Sequence, residues 1–113
     1  GTQLCENWNG SSWTEVNDTN TGRKYGAGGG TNTSALIFGG NTPPNNITNT
    51  ESWNGTSWTE VNDLNTGRHN MAGSGADNTA CLVMGGNEPS PSAKTELWNG
   101  SSWTEVKVLL QQL

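Results

Sequence analysis

Few side chains in this 113-residue sequence could carry out catalysis. His69 is the only imidazole, and the two cysteines are Cys5 and Cys81. Nucleophilic and acid–base catalysis need a reactive group held beside a partner that activates it. No Ser or Cys near His69 lies in a nucleophile motif. The sequence therefore predicts no catalytic residue, no cofactor and no enzyme activity.

Carboxylates are the next candidates for chemistry. Glu15, Glu60 and Glu105 recur at equal spacing, but a glycosidase needs two carboxylates close together, so we expect structural roles for them. Residues 18–22 and 63–67 begin like a calcium loop, Asp-x-Asn-x-Gly, yet both lack the glutamate at the twelfth position. Turn formation accounts for Asp, Asn and Gly there, and with two Cys and one His we expect no metal site.

Tryptophan is the ambiguous residue type, with six copies in the chain. A flat aromatic face beside Asn and Thr side chains suits a sugar ring, but a chain with few other large apolar residues also needs Trp in its core. We expect one set to lie in the core, and we interpret the other set as candidate ligand-binding residues. The core set is Trp13, Trp58 and Trp103, and the candidate ligand set is Trp8, Trp53 and Trp98.

Composition indicates one loop-rich, all-β domain. About half of the residues are Gly, Asn, Thr or Ser, and only 13% are charged. Strong helix formers are scarce, and six Trp with a net charge of −5 argue against disorder. An acidic chain with five basic residues is a poor nucleic-acid binder. No apolar run is long enough to span a membrane, so we expect neither nucleic acid nor membrane as a partner.

Internal repetition is the most informative feature. The nine residues that begin at Trp8 recur almost unchanged at Trp53 and Trp98, 45 residues apart each time. A second conserved segment, residues 17–23, matches residues 62–68. Two further features occur once in each full repeat: an apolar run closed by paired glycines, and an arginine. These residues are Gly39, Gly40, Gly85 and Gly86, with Arg23 and Arg68.

Each repeat can be divided into four short strands. In the second full repeat, small residues near 69–76 form strand one, a turn follows at residues 77–78, and strand two covers residues 79–84. This second strand is apolar without alternation, so we expect cover on both of its faces. Strand three ends at Trp53 or Trp98. Residues 54–57, which contain Asn-Gly, return the chain and place Trp53 opposite Trp58 at the start of strand four.

Four strands in about 45 residues, with a double glycine after the second, are typical of a propeller blade. The sequence resembles kelch-type repeats in its Gly-Gly pairs, its strand-four Trp and the Arg that follows. The resemblance implies that the glycines let blades approach, that the Trp packs between blades, and that the Arg lies in the loop to the next innermost strand. The family usually has a Tyr six or seven residues before the strand-four Trp; in this sequence a Trp five residues before it takes that place. The Asn/Thr/Gly-rich style is similar to kelch-like repeats of phages and other viruses, which implies an extracellular or virion-associated protein.

The repeats predict a half blade at residues 1–16, full blades at 17–61 and 62–106, and a non-repeat tail at 107–113 that could be an assembly strand or helix. Two and a half blades cannot close a ring. Either copies of the chain assemble or the sequence is part of a longer array of repeats; of these we expect a homo-oligomer, with a trimer favoured and a head-to-tail fibre as the alternative. A displaced half blade could also bring Cys5 and Cys81 of two subunits together, although Cys81 fits equally well as a small core residue.

Two loops differ between the repeats while the strands around them are nearly identical. They are residues 42–46 and 88–92, and binding often lies in such loops. Their candidate ligand-binding residues are Asn45, Asn46, Glu88 and Ser90. The leading hypothesis is a non-enzymatic propeller module that binds an extracellular glycan, as in a viral fibre or lectin. The alternative is a structural ring or filament protein without a small-molecule ligand.

Overall fold

The computed structural model describes residues 2–106, which form twelve strands and no helix and confirm the all-β fold class. The tail at 107–113 lies outside the described residues. The strands are β1 (Cys5–Trp8), β2 (Trp13–Val16), β3 (Ala27–Gly30), β4 (Ala35–Phe38), β5 (Asn41–Thr42), β6 (Asn45–Asn46), β7 (Thr50–Trp53), β8 (Trp58–Val61), β9 (Ala72–Asp77), β10 (Ala80–Met84), β11 (Thr95–Trp98) and β12 (Trp103–Val106).

These strands form four antiparallel sheets. An N-terminal sheet contains β1 and β2, a central sheet has the order β3-β4-β7-β8, and a C-terminal sheet has the order β9-β10-β11-β12. Each large sheet thus joins the four predicted strands of one repeat in chain order. The small ribbon β5–β6, inside the first proline loop, was not predicted, because two-residue strands carry no periodic signal.

The Asn-Gly hairpins have the predicted geometry. Trp53 pairs with Trp58, and the same register joins Trp8 to Trp13 and Trp98 to Trp103. Asn54 Oδ1 accepts hydrogen bonds from the backbone N–H groups of Thr56 and Ser57, at 2.8 and 2.9 Å. Gly55 has a φ of 98°, which glycine adopts without strain. Local turn chemistry therefore fixes the register of strands three and four.

The core lies where the central sheet packs on the C-terminal sheet. We call the face of each sheet that carries the Trp pair its front, and the opposite face its back. On the back of the central sheet, Leu36 and Phe38 are fully buried. They pack in one cluster with front-face residues of the C-terminal sheet, Cys81, Val83, Trp98 and Trp103.

Trp103 makes the most specific contacts across this core. Its ring meets Phe38 edge-on at 5.0 Å between centroids, and its Nε1–H donates to Thr50 Oγ1 at 3.0 Å. An indole supplies a large apolar surface and one donor that must find a partner when buried. Both needs are met by the back of the neighbouring sheet.

Within the described chain, strand two of each large sheet is fully buried on only one face, although we expect cover on both. In β4, Leu36 and Phe38 are buried, whereas Ala35 and Ile37 on the front are only partly buried. In β10, Val83 is buried but Met84 on the back is 37% exposed. The N-terminal sheet has only two strands and leaves the front of β4 partly open. Within the described residues, nothing covers the back of β10.

The double glycines differ in what surrounds them. Gly39 and Gly85 have nearly the same φ, 66° and 68°. A Cβ on Gly39 would contact the Met71 side chain and lie 3.0 Å from the Arg68 carbonyl oxygen. A Cβ on Gly85 would find its nearest atom, the Ser92 carbonyl oxygen, at 3.6 Å. Backbone conformation requires glycine at both positions, whereas close packing requires it only at Gly39.

We predict that Gly39→Ala lowers the free energy of unfolding more than Gly85→Ala does. Positive φ costs either alanine about 1–2 kcal/mol, and overpacking adds about 1–3 kcal/mol at position 39 only. Urea denaturation monitored by Trp fluorescence measures both changes. Equal losses in the two variants would contradict the close approach at Gly39.

Candidate functional site

Each full repeat contains a buried ion pair that joins the connecting segment at its start to its own sheet. Arg68 Nη2 lies 2.7 Å from Glu96 Oε2, and both side chains are fully buried. Arg68 Nη1 also donates to the carbonyl oxygens of Gly85 and Lys94, at 2.9 and 2.7 Å. Glu96 Oε1 accepts the backbone N–H of Asn65 at 2.8 Å. These bonds fasten the connecting segment to strands two and three of the C-terminal sheet.

The preceding repeat contains the same arrangement. Arg23 Nη2 lies 2.6 Å from Glu51 Oε2, and Arg23 Nη1 donates to the carbonyl oxygens of Gly39 and Asn49. Burial lowers the pKa of the Arg23 guanidinium, and the charge of Glu51 opposes that shift. Glu6 occupies the equivalent position in the N-terminal sheet, but it is exposed and has no arginine among the described residues.

The recurring glutamates lie opposite these carboxylates. Glu15, Glu60 and Glu105 pair across strands with Glu6, Glu51 and Glu96 respectively. Glu60 accepts a hydrogen bond from Asn49 Nδ2 at 2.6 Å, and all three recurring glutamates are exposed. In the two large sheets an arginine binds the buried glutamate of each pair, Glu51 or Glu96. These pairs are therefore suited to holding the connecting segments in place rather than to paired acid–base catalysis.

Trp burial follows the sheet rather than the position in the repeat. Trp53 and Trp98 are 4% and 2% exposed, whereas Trp8 is 44% exposed. Among the strand-four residues Trp103 is buried, Trp58 is half-buried and Trp13 is 63% exposed. The division into a core set and a ligand set therefore does not describe the fold. Both Trp residues are buried in the C-terminal sheet, which has a four-stranded sheet in front of it; only Trp53 is buried in the central sheet, behind the two-stranded N-terminal sheet, and neither is buried in the N-terminal sheet.

Two of the candidate ligand-binding Trp residues have structural hydrogen bonds. Trp53 Nε1 donates to the Asn32 carbonyl oxygen at 3.0 Å, and Trp98 Nε1 donates to that of Asn78 at 2.9 Å. Each bond ties strand three to the turn between strands one and two of its own sheet. Neither indole presents its face to solvent as a sugar-binding platform would.

An apolar groove of about 460 Å³ lies between the N-terminal and central sheets. Four tryptophans line it, together with Cys5, Val16, Ala35 and Ile37 among others; they are Trp8, Trp13, Trp53 and Trp58. In the large sheets, strand two lies beside strand three. The N-terminal sheet has no strand two, and the groove occupies the space beside β1 where that strand would lie. Leu36 and Phe38 cover the front of the C-terminal sheet. The central-sheet residues that line the groove occupy the equivalent positions on the front of their own sheet; they are Ala35, Ile37, Trp53 and Trp58.

The indole nitrogen of Trp58 is buried in this region and has no hydrogen-bond partner. In the next repeat, Trp103 Nε1 donates to Thr50. The residue equivalent to Thr50 in the N-terminal sheet is Cys5, which pairs with Val16 as Thr50 pairs with Val61. A thiol is a weak acceptor, so the Cys at this position explains the unpartnered indole.

We predict that Cys5→Thr raises the free energy of unfolding by about 1 kcal/mol, because a hydroxyl would accept the buried Trp58 N–H. Cys5→Val is the matched control, since valine has the shape of threonine without the oxygen. Denaturant unfolding of both variants measures the effect. A gain that is equal in the valine variant would assign it to packing and contradict the hydrogen bond.

The two variable loops line a polar cleft of about 820 Å³. Asn45, Asn46 and Glu88 all lie in its wall with His69, whereas Ser90 does not line it. His69 Nδ1 lies 2.7 Å from Asn46 Oδ1, and Asn46 Nδ2 donates to the Asn87 carbonyl oxygen at 3.1 Å. Of the four ligand residues predicted in the two loops, three therefore line one cleft and Ser90 lies outside it.

The charge of Glu88 is stabilised at the edge of the cleft. Its carboxylate lies 3.3 Å from Lys94 Nζ. Hydrogen bonds from Ser92 and Lys94 lower the pKa of Glu88, so it remains ionised at neutral pH. The cleft therefore combines amide groups, an imidazole and one carboxylate, a set that can hydrogen-bond neutral polyols.

Tyr25 is a residue near the cleft that the sequence analysis did not single out. It is 55% exposed, and its ring centroid lies 6.1 Å from that of His69. Its φ is 61°, a left-handed conformation that its repeat equivalent, Asn70, also adopts at 57°. Asparagine tolerates this conformation far better than tyrosine does. The sequence signal that could have identified Tyr25 is that the equivalent position in the other repeat is an asparagine, Asn70.

The predicted ligand residues do not form a single site. The loop at residues 42–46 precedes β7, whereas Trp53 ends it. Four residues of strand span about 10 Å, and the same separation applies to Trp98 and residues 88–92. The cleft and the Trp residues therefore belong to opposite ends of the sheets.

Both cysteines are free, and they lie on the first and last sheets with the central sheet between them. Burial raises the pKa of the Cys81 thiol, which donates to the Asp77 carbonyl oxygen at 3.3 Å. Residues 2–106 contain no group of three or more His, Cys, Asp or Glu that could hold a metal ion. Over the same range, no helix could cross a membrane.

Comparison of the chain with protein-family models and with curated proteins finds no match.

Proposed function

We propose that this chain is a non-enzymatic structural module that assembles through the outer faces of its sheets. The sheets serve as kelch-like propeller blades, and the product is a ring or filament of several copies in an extracellular or virion-associated setting. The observation that carries the proposal is the location of the exposed large apolar side chains on the two outer faces.

Six large hydrophobic residues are exposed among the described residues. Leu4, Trp8 and Trp13 lie on the front of the N-terminal sheet. Met84 and Leu97 lie on the back of the C-terminal sheet, and only Tyr25 lies elsewhere. Concentrated apolar exposure marks surfaces that another protein covers. An isolated ligand site would not explain two such surfaces at opposite ends.

We predict that the protein is oligomeric at micromolar concentration, with a mass of three subunits favoured. Light scattering after size exclusion measures this mass, and dilution should shift it toward the 11.9 kDa monomer. Raising the salt concentration should not dissociate the oligomer, because the contact is apolar. A stable monomer at all concentrations would contradict the assembly function.

A second candidate function is glycan binding in the polar cleft. It is favoured by the convergence of Asn45, Asn46, His69 and Glu88 on one wall, with the exposed ring of Tyr25 beside His69. Backbone strain at an exposed side chain is a feature of binding sites, and an aromatic ring can stack on a sugar. Several copies in an assembly would combine weak affinities through avidity.

We predict that Tyr25→Asn abolishes sugar binding and leaves the fold at least as stable, because asparagine occupies this conformation in the other repeat. A glycan array followed by calorimetric titration of its hits measures binding, and thermal unfolding measures stability. Trp8→Phe is the control, since Trp8 lies outside the cleft. Unchanged affinity in Tyr25→Asn, or loss in Trp8→Phe, would contradict the cleft as the site.

A further inference from the structure

We propose that two copies of this chain associate head to tail: the back of the C-terminal sheet of one copy packs on the front of the N-terminal sheet of the next. The contact repeats the register found between the central and C-terminal sheets within one chain. This inference rests on the self-association proposed above and specifies which surfaces meet.

The internal contact supplies the template. There, the back of one sheet, carrying Leu36, Phe38 and Thr50, covers the front of the next, carrying Trp98 and Trp103. Strand pairing makes the two strand-two segments equivalent, because Ala35 pairs with Trp53 as Cys81 pairs with Trp98. The two outer surfaces are therefore one back, on the C-terminal sheet, and one front, on the N-terminal sheet.

The outer faces are complementary over the two strands that the N-terminal sheet contains. On the exposed back, Leu82, Met84 and Thr95 occupy the positions of Leu36, Phe38 and Thr50. On the exposed front, Trp8 and Trp13 occupy those of Trp98 and Trp103. The template therefore predicts a Trp13–Met84 contact between copies, and a hydrogen bond from Trp13 Nε1 to Thr95 Oγ1.

Leu97 adds an independent observation. It lies on the exposed back, and it is 45% exposed. The equivalent residues in the other two sheets are polar, namely Asn7 and Ser52. The one sheet whose back has no cover within the described chain thus carries the extra apolar residue, as an intermolecular contact requires.

The same template predicts an electrostatic weakness at the contact. Glu51 and Glu96 are buried against Arg23 and Arg68, which are the only arginines in the sequence. Glu6, at the equivalent position on the exposed front, would enter the contact without an arginine. Burying an unpaired carboxylate costs free energy, so Glu6 limits the affinity between copies.

Two singly blocked variants test which faces meet. Leu97→Lys blocks the back, at a position that is polar in the other sheets, and Trp13→Lys blocks the front. We expect each variant alone to be monomeric in light scattering and an equimolar mixture to form a one-to-one dimer, because each supplies the face that the other lacks. Circular dichroism and melting curves verify that both variants are folded.

The outcomes separate this inference from the broader function. Self-association of Leu97→Lys would mean that fronts pair with fronts, self-association of Trp13→Lys would mean that backs pair with backs, and a mixture that stays monomeric would also overturn the head-to-tail contact. A monomeric wild-type protein would overturn assembly itself, whereas a wild-type oligomer with any of those patterns overturns only the arrangement of faces.

Two milder variants test the register. Thr95→Val removes the predicted acceptor and should weaken association by a few-fold to about tenfold, the equivalent of one hydrogen bond. Glu6→Gln should strengthen association, because it removes the uncompensated charge. Unchanged affinity in Thr95→Val, or weaker association in Glu6→Gln, would overturn the register.

Discussion

The buried arginine–glutamate pair is the interaction on which the arrangement of the sheets depends. Arg68 illustrates why: its side chain binds Glu96 in the C-terminal sheet, while its backbone carbonyl accepts the N–H of Gly40, two residues beyond the end of β4 in the central sheet, at 2.8 Å. One residue thus fixes the distance between two sheets. Removing either partner from such a pair leaves a buried charge, which costs about 3–5 kcal/mol. In a chain with so few large side chains, this constraint replaces much of the packing that a larger core would provide.

Local features of the sequence predicted most of the strands. The Asn-Gly hairpin fixes Trp53 opposite Trp58 by turn chemistry alone, and the apolar run closed by Gly39 marks the end of strand two. Side-chain burial could not be predicted in this way, because it depends on the neighbouring sheet. Trp13 and Trp103 lie in nearly identical sequences, but only Trp103 has Phe38 in front of it.

The candidate sites follow the same distinction. Sequence variation between repeats drew attention to both proline loops, and three of their predicted residues line one cleft, among them Asn46 and Glu88. Tyr25 was not singled out because the features that distinguish it, its backbone angle and its closeness to His69 in the fold, are not visible in the sequence. The Trp residues that the sequence suggests for sugar binding differ in burial: Trp53 lies behind the N-terminal sheet and is buried, whereas Trp8 has no sheet in front of it within the described chain and is exposed.

Near-identical repeats have a consequence for how this protein can assemble. Strands three and four carry the same Trp pair on the front of every sheet, so in the proposed contact the exposed front of the N-terminal sheet can pack on an exposed back much as the sheets pack within one chain. The differences between the repeats then determine how strong the proposed contact between copies is. Leu97 makes the outer back more apolar than its equivalents, while Glu6 without an arginine makes the outer front less able to be buried. In the proposed head-to-tail contact these two differences act in opposite directions, because the apolar Leu97 strengthens the association between copies and the unpaired charge of Glu6 weakens it.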